Sequence, residues 1–138
     1  LIAEYNPFLL DVEFNGIQKD KRLASYLRKT KCKLLISWHD FKKTPNDSQL
    51  KSRFNKMRKF SKIVKIVTVA KNVSDASRLL SLYSIKSNNE MVAFCMGDQG
   101  KFSRILCLHL GSPFTYVSLG KAIAPGQFSV DEIKSLEN

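Results

Sequence analysis

The chain has 138 residues, of which 43% are apolar, and this proportion excludes a disordered chain. Its 23 Lys and Arg against 12 Asp and Glu give a formal net charge of +11, which raises nucleic acid as a partner. The length is that of one domain, and no apolar stretch reaches the roughly 20 residues of a transmembrane helix. The three cysteines, an odd number, do not suggest a disulfide scaffold. We therefore expect a soluble, cytoplasmic protein.

Five short apolar runs, rich in β-branched residues, predict β-strands. They lie at 8–14, 33–38, 63–69, 91–96 and 114–119. The centres of successive runs are about 23 to 30 residues apart, which is the repeat of a βα unit rather than of a hairpin. Because the runs are almost continuously apolar, we expect a parallel sheet covered on both faces. The pattern leaves two architectures open, a doubly wound sheet and part of a (β/α)8 barrel.

Helical periodicity fills the segments between these runs. Apolar spacings of three and four residues predict helices around 23–27, 50–57 and 76–83, followed by a fourth helix from Ser103 and a fifth from Ser129. Thr44-Pro45 and Ser74 suit the starts of the second and third helices. Ser129 and Glu132 have the spacing of a capping box.

Lys65 is a lone cation inside the third predicted strand, between Val64 and Ile66. Desolvation of a buried ammonium favours the neutral amine, which a nucleophile that forms a Schiff base requires. The alternative is a structural lysine that reaches the strand end or pairs with a carboxylate such as Glu13.

Two further side chains lie where α/β folds gather their functional groups, at the carboxyl ends of strands. His39 ends the second strand, a position that suits a general acid and base, or else a hydrogen-bonded structural histidine. Arg104 follows a glycine loop at a helix start and suits a substrate carboxylate. We interpret His109 as a packed or surface helix residue. The sequence has no P-loop, dinucleotide fingerprint, zinc-ligand cluster or Gly-x-Ser-x-Gly motif.

The basic charge is spread along the chain instead of forming one arm. Its densest segments are 19–22, 28–33, 42–43 and 51–62. At least two of them match the outer face of an amphipathic helix, so we interpret them as solvated faces. No zinc-finger spacing, recognition-helix pattern or aromatic RNA-binding motif supports a nucleic-acid partner.

Five motifs together resemble the type I 3-dehydroquinate dehydratases, the Schiff-base enzymes of the shikimate pathway. They are SWHDFKKTP (37–45), IVKIVTVAKNVSDASRLL (63–80), MGDQGKFSR (96–104), GSPFTY (111–116) and APGQFSV (124–130), in the order of the family. The resemblance implies a (β/α)8 barrel. Residues 1–138 would be the C-terminal part of that single domain, about five of the eight βα units, with strands 4 to 8 present and strands 1 to 3 absent.

The resemblance also implies an activity, the dehydration of 3-dehydroquinate to 3-dehydroshikimate and water. Lys65 would form the imine with the substrate ketone, and His39 would be the catalytic acid and base. Asp11 and Glu13 would be acidic neighbours of Lys65. The family needs no metal and no organic cofactor, and the sequence shows a site for neither. Substrate-binding positions would be Arg104, which faces the ring carboxylate, Gln127, Met96 and Tyr116.

Three features depart from the family. Ile123 stands where members usually have a small polar residue before Ala-Pro-Gly-Gln, and Lys62 replaces an acidic residue shortly before the lysine. The first three strands, which would carry a carboxylate that orients the histidine, are absent, and we expect nothing in this chain to replace them. The chain begins at Leu1 without a Met or a basic segment, so we expect no signal peptide, a missing upstream segment and poor activity of the fragment itself.

Two other functions stay open at this point. A class I Schiff-base aldolase also uses a barrel lysine but cleaves a carbon–carbon bond. A basic nucleic-acid-binding module would bind DNA or RNA with a strong dependence on salt. The dehydratase interpretation expects a small-molecule substrate, no nucleic acid and no membrane as partners, and it leaves a homodimer open.

Overall fold

Four strands form one parallel sheet in the computed structural model, which describes residues 2–136. They are β1 (Leu10–Glu13), β2 (Leu34–Asp40), β3 (Ile63–Val69) and β4 (Glu90–Met96). Each strand pairs with the next one along the chain, in the order β1-β2-β3-β4. A doubly wound sheet reverses its order at a switch point, so this uninterrupted order favours an arc of a barrel. Leu1, from which we expected a missing upstream segment, lies outside the described residues.

Six helices connect and flank the strands within residues 2–136. They are α1 (Phe14–Lys19), α2 (Lys21–Lys29), α3 (Asp47–Met57), α4 (Val73–Leu80), α5 (Ser103–His109) and α6 (Val130–Leu136), with short 3-10 turns at Ile2–Tyr5, Ser81–Ser84 and Asp98–Gly100. All five predicted helices are present, and α1 is an additional one that begins within the first predicted run. No helix within the described part of the chain combines the length and the apolar character needed to cross a membrane.

Two of the four predicted helix starts are wrong by two residues. Asn46, rather than Thr44-Pro45, caps α3, because its side chain accepts a hydrogen bond of 2.9 Å from the Gln49 backbone. Asn72 caps α4 in the same way instead of Ser74. An Asn side chain satisfies a first-turn N–H group that otherwise has no partner. The capping box of Ser129 and Glu132 is confirmed by hydrogen bonds in both directions.

The alternation of side chains along the strands divides the sheet into two faces. One face packs against the helices, and its strand residues include Ile36, Trp38, Val64, Ile66, Ala93 and Cys95. The opposite face carries a smaller apolar cluster that includes Val67, Val92, Phe94 and Met96. Lys65 and His39 alternate onto this second face, because each lies an odd number of residues from the helix-facing positions of its strand.

The fifth predicted strand, 114–119, is absent as a strand. Among the residues that the structure describes, its only ladder contact is an isolated bridge between Ser118 and Ser129. Around Ser118 the backbone bonds to the segment that leads into α6, with Ser118 N–H donating to Phe128 and Val130 N–H donating to Ser118. An apolar run depends only on the local sequence. A strand also requires a neighbouring strand whose backbone N–H and C=O groups are free to pair with it.

Candidate active site

Lys65 lies in the middle of β3 and is only 7% exposed. Its Nζ lies 2.5 Å from Asp11 Oδ2 on β1, although β2 separates the two strands. Ser37 is the β2 residue in register with Lys65, and its short side chain leaves room for the lysine to cross. Asp11, and not Glu13 as the sequence suggests, is the carboxylate that pairs with the lysine. A desolvated amine therefore has a carboxylate within proton-transfer distance.

Tyr116 covers the same amine from the segment after α5. Its hydroxyl oxygen lies 3.5 Å from Lys65 Nζ, and its ring centroid lies 4.8 Å from that nitrogen. An ammonium in this position is stabilised by the face of the ring as well as by the carboxylate. Tyr116 in turn contacts the rings of Phe94 and Phe114, which fix its orientation.

His39 lies near the carboxyl end of β2 with its side chain 24% exposed. Its Nδ1 lies 2.8 Å from Glu13 Oε2, and its ring stacks on Phe41 with centroids 5.6 Å apart and planes inclined by 8°. The ring is thus held by one polar and one aromatic contact. Its other nitrogen, Nε2, is the one left for chemistry.

Arg104, in the first turn of α5, is 2% exposed. Its guanidinium carbon lies 4.5 Å from the Phe94 ring centroid, and its Nη2 donates to the Pro125 carbonyl at 3.3 Å. Among the described residues its buried Nε has no hydrogen-bond partner. Burial lowers the pKa of the guanidinium from its ordinary value. A buried cation with an unused donor is well suited to bind an anion.

Close packing of two glycines, Gly97 and Gly126, allows the loop before α6 to lie against Arg104. Gly126 has φ +70°, and a Cβ at that position would lie 2.5 Å from the Gly97 carbonyl oxygen. The Gly97 N–H donates to Pro125 at 3.1 Å, so the two glycine segments lie directly against each other. Gln127 is oriented within the loop, because its side-chain oxygen accepts from the Ile123 and Ala124 backbones at 3.0 and 3.3 Å.

These side chains converge on one cavity of about 290 Å³. All six predicted site residues line it, together with five others. The remaining lining residues are Phe41, Val67, Phe94, Ile123 and Ala124. Val67 and Phe94 were missed as site residues, yet strand parity signals both, since they lie two residues from Lys65 and Met96 on the same strand faces. Ile123, the departure noted in the sequence, is 91% exposed at the mouth.

The site is built from carboxylates, amine, imidazole and guanidinium. Within residues 2–136, no three His, Cys, Asp or Glu side chains lie together in a way that could hold a metal ion. Lys65 offers a nucleophile, His39 an acid and base, and Arg104 a cation for a carboxylate. The geometry therefore suits covalent chemistry on a small anionic carbonyl compound.

Comparison with known proteins gives the family. A sequence model described as Type I 3-dehydroquinase matches residues 1–137. The chain belongs to the type I 3-dehydroquinase family. It is similar to the 3-dehydroquinate dehydratase of Pyrococcus abyssi, with 37% identity over 132 residues that cover 95% of the chain and 60% of that protein. The protein of the same name from Pyrobaculum aerophilum is 40% identical over 132 residues, 94% of the chain and 42% of that protein. The chain thus spans less than two thirds of either relative.

Solved structures of the family share the fold. A crystal structure of the Clostridium difficile type I 3-dehydroquinate dehydratase with covalently modified comenic acid has a TM-score of 0.83 and 28% identity, covering 98% of this chain and 56% of that one. The Aquifex aeolicus 3-dehydroquinate dehydratase has a TM-score of 0.76 and 30% identity, covering 94% and 59%. The likeness confirms the predicted fold class, part of a (β/α)8 barrel.

Proposed function

We propose that residues 1–138 form the C-terminal part of a single barrel domain and carry the imine-forming centre of a type I 3-dehydroquinate dehydratase. The observation that carries the proposal is the placement of the Lys65 amine, buried beside Asp11, on the same cavity as His39 and Arg104. The names of the relatives and the family supply the substrate, 3-dehydroquinate. They also favour the dehydratase over the class I aldolase.

The first step is attack by Lys65 on the ketone carbon of the substrate. The ammonium must lose a proton before it attacks, and the Asp11 carboxylate at 2.5 Å is placed to accept it. The resulting carbinolamine loses water to give an iminium ion, which draws electrons from the adjacent C2–H bond. The Tyr116 ring beside Nζ stabilises the positive charge of that iminium ion.

His39 carries out the elimination in this scheme. Its Nε2 removes the proton from C2, and the hydroxyl group at C1 departs as water after it receives a proton from the same imidazole. A second water molecule then hydrolyses the iminium ion and regenerates the Lys65 amine. One water molecule is consumed for the two released, so the net reaction is the loss of one water to give 3-dehydroshikimate.

Arg104 and the apolar walls of the cavity orient the ring. The buried guanidinium pairs with the substrate carboxylate, where exclusion of water strengthens the interaction. Phe94 and Met96 lie on the same strand face and contact the carbon skeleton. The loop that holds Gln127 lines the cavity beside the guanidinium. In this scheme the ketone lies toward β3 and the carboxylate toward α5.

Borohydride trapping tests the proposal on this chain directly. With 3-dehydroquinate and sodium borohydride, we expect a covalent adduct by intact mass that peptide mapping places on Lys65. The K65A variant should form none, whereas K62A, which removes an exposed lysine three residues earlier, should react like the unsubstituted chain. An adduct that survives in K65A, or none in the unsubstituted chain, would contradict the proposal.

A further inference from the structure

We propose that Glu13 is a positioning residue that holds His39 in the tautomer with its proton on Nδ1 and thereby leaves Nε2 as the catalytic base. The inference rests on the proposed function, because it concerns the histidine assigned there to proton transfer. It differs from the expectation that no residue of this chain would replace the carboxylate that orients the histidine.

The hydrogen bond itself determines the position of the proton. His39 Nδ1 lies 2.8 Å from Glu13 Oε2, a short separation for a nitrogen and an oxygen. An ionised carboxylate can only accept hydrogen bonds, whereas a neutral imidazole has one nitrogen that donates and one that accepts. The nitrogen against Glu13 must therefore be the donor. Nε2 of a neutral His39 then has a free lone pair.

The sheet fixes this contact on regular strands and not on a mobile loop. Glu13 is in register with Ser37 of the neighbouring strand, and His39 is two residues further along that strand on the same face. The Ser37 hydroxyl donates to the same Oε2 at 3.4 Å, which orients the carboxylate toward the histidine. Stacking on Phe41 restricts rotation of the imidazole. A strand position gives a more precise orientation than a loop position.

The other oxygen of Glu13 strengthens the assignment. Oε1 is buried and has no hydrogen-bond partner among the described residues, so the hydrogen bonds of this carboxylate run through Oε2 alone. Asp11, two residues earlier on β1, serves Lys65 in the same manner. Each of the two functional side chains thus has its own carboxylate on one strand face. The pair Glu13–His39 corresponds to the general arrangement of a carboxylate that orients an imidazole base.

Nuclear magnetic resonance of the histidine ring nitrogens tests the inference. The chain contains two histidines, so a 15N-labelled sample above the histidine titration range gives two ring spin systems, and H109Q assigns them. We expect His39 to show the Nδ1–H tautomer. In E13Q the amide can donate to Nδ1, so we expect a shift toward the Nε2–H tautomer. D11N is the matched control, because it removes the neighbouring carboxylate and should leave the His39 tautomer unchanged.

Two results would overturn the inference: an Nε2–H tautomer in the unsubstituted chain, or an E13Q spectrum in which the His39 tautomer is unaltered. If E13Q fails to fold, the spectrum of the unsubstituted chain still decides. Borohydride trapping separates this inference from the proposed function, because the tautomer does not depend on imine formation. Loss of trapping together with an Nδ1–H histidine would reject the proposed function and support the role of Glu13. Normal trapping together with an Nε2–H histidine would support the proposed function and reject the role of Glu13.

Discussion

A single lysine side chain connects two strands that do not touch each other. Lys65 extends from β3 across Ser37 to Asp11, with side-chain exposures of 9% for the lysine and 40% for the aspartate. Removing one member of a buried ion pair leaves a desolvated charge, which costs more free energy than the intact pair contributes. The contact therefore couples the chemistry of the amine to the stability of the sheet.

We expect D11N to lower the free energy of unfolding by about 1–2 kcal/mol, below the range for fully buried pairs because Asp11 is partly exposed. In the K65M background, where no ammonium needs a partner, the same substitution should cost much less. Urea denaturation of the four chains of this double-mutant cycle, followed by the fluorescence of the single tryptophan, Trp38, gives the coupling energy. Equal costs in both backgrounds would show that the pair contributes nothing.

The sequence was sufficient to find Lys65 and His39 but not to assign their partners. A cation among β-branched residues and a histidine at a strand end can be recognised from the sequence alone. The choice between Asp11 and Glu13 depends on how β1 is aligned with β2, which no local pattern specifies. Both carboxylates alternate onto the face that carries Lys65, and the family resemblance implied that both are its neighbours. Only the register assigns Asp11 to the lysine and Glu13 to the histidine.

At the scale of elements, strands and helices were predicted correctly where the residues of the segment alone determine its structure. The strands β2, β3 and β4 are largely apolar runs, which is the composition of a buried parallel strand, whereas β1 alternates apolar and acidic residues. The fifth run, 114–119, has a similar composition but bonds instead to the segment before α6. The starts of α3 and α4 were predicted wrongly for a related reason. Several side chains near each start could cap the helix, and the backbone conformation determines which one does.

The loop before α6 is the element on which the proposed anion site at Arg104 most depends. We expect G126A to disrupt it, since an alanine at φ +70° is strained and its Cβ would contact the Gly97 backbone. Hydrogen exchange should increase at 121–127 and Arg104 should lose its contact to Pro125, while the sheet stays protected. G120A is the matched control, because a Cβ at Gly120 meets nothing within 4 Å. Similar exchange in the two variants would contradict this account.

At the scale of the whole molecule, the basic charge follows the helix faces. On α3, Lys51 and Lys56 are exposed, whereas Leu50, Phe54 and Met57 are buried against the sheet. This distribution supports the interpretation of the segment 51–62 as a solvated face. Two further cations, Lys65 and Arg104, line the cavity, where under the proposed function their charge would attract an anionic substrate.

One edge of the sheet is β1, the strand that carries Asp11 and Glu13, and within residues 2–136 this strand pairs only with β2. A sheet edge exposes backbone groups that another strand can bind. Because the chain covers 60% of the Pyrococcus abyssi relative, and we propose that it is the C-terminal part of the barrel, the remaining segment of that relative should pair along β1. It would also enclose the side chains of Asp11 and Glu13, each of which is 40% exposed in this chain.

A chimera tests this expectation. We expect the remaining segment of the Pyrococcus abyssi protein, fused ahead of residues 1–138, to turn over 3-dehydroquinate at least tenfold faster than the chain alone, because enclosure strengthens every charge interaction in the cavity. The absorbance of the conjugated product measures the rate, and the chimera with K65A is the control for contaminating activity. Borohydride trapping of the chain alone should still label Lys65, since its amine, Asp11 and Tyr116 are already in place. Equal rates for the chimera and the chain alone would show that the four strands suffice for catalysis.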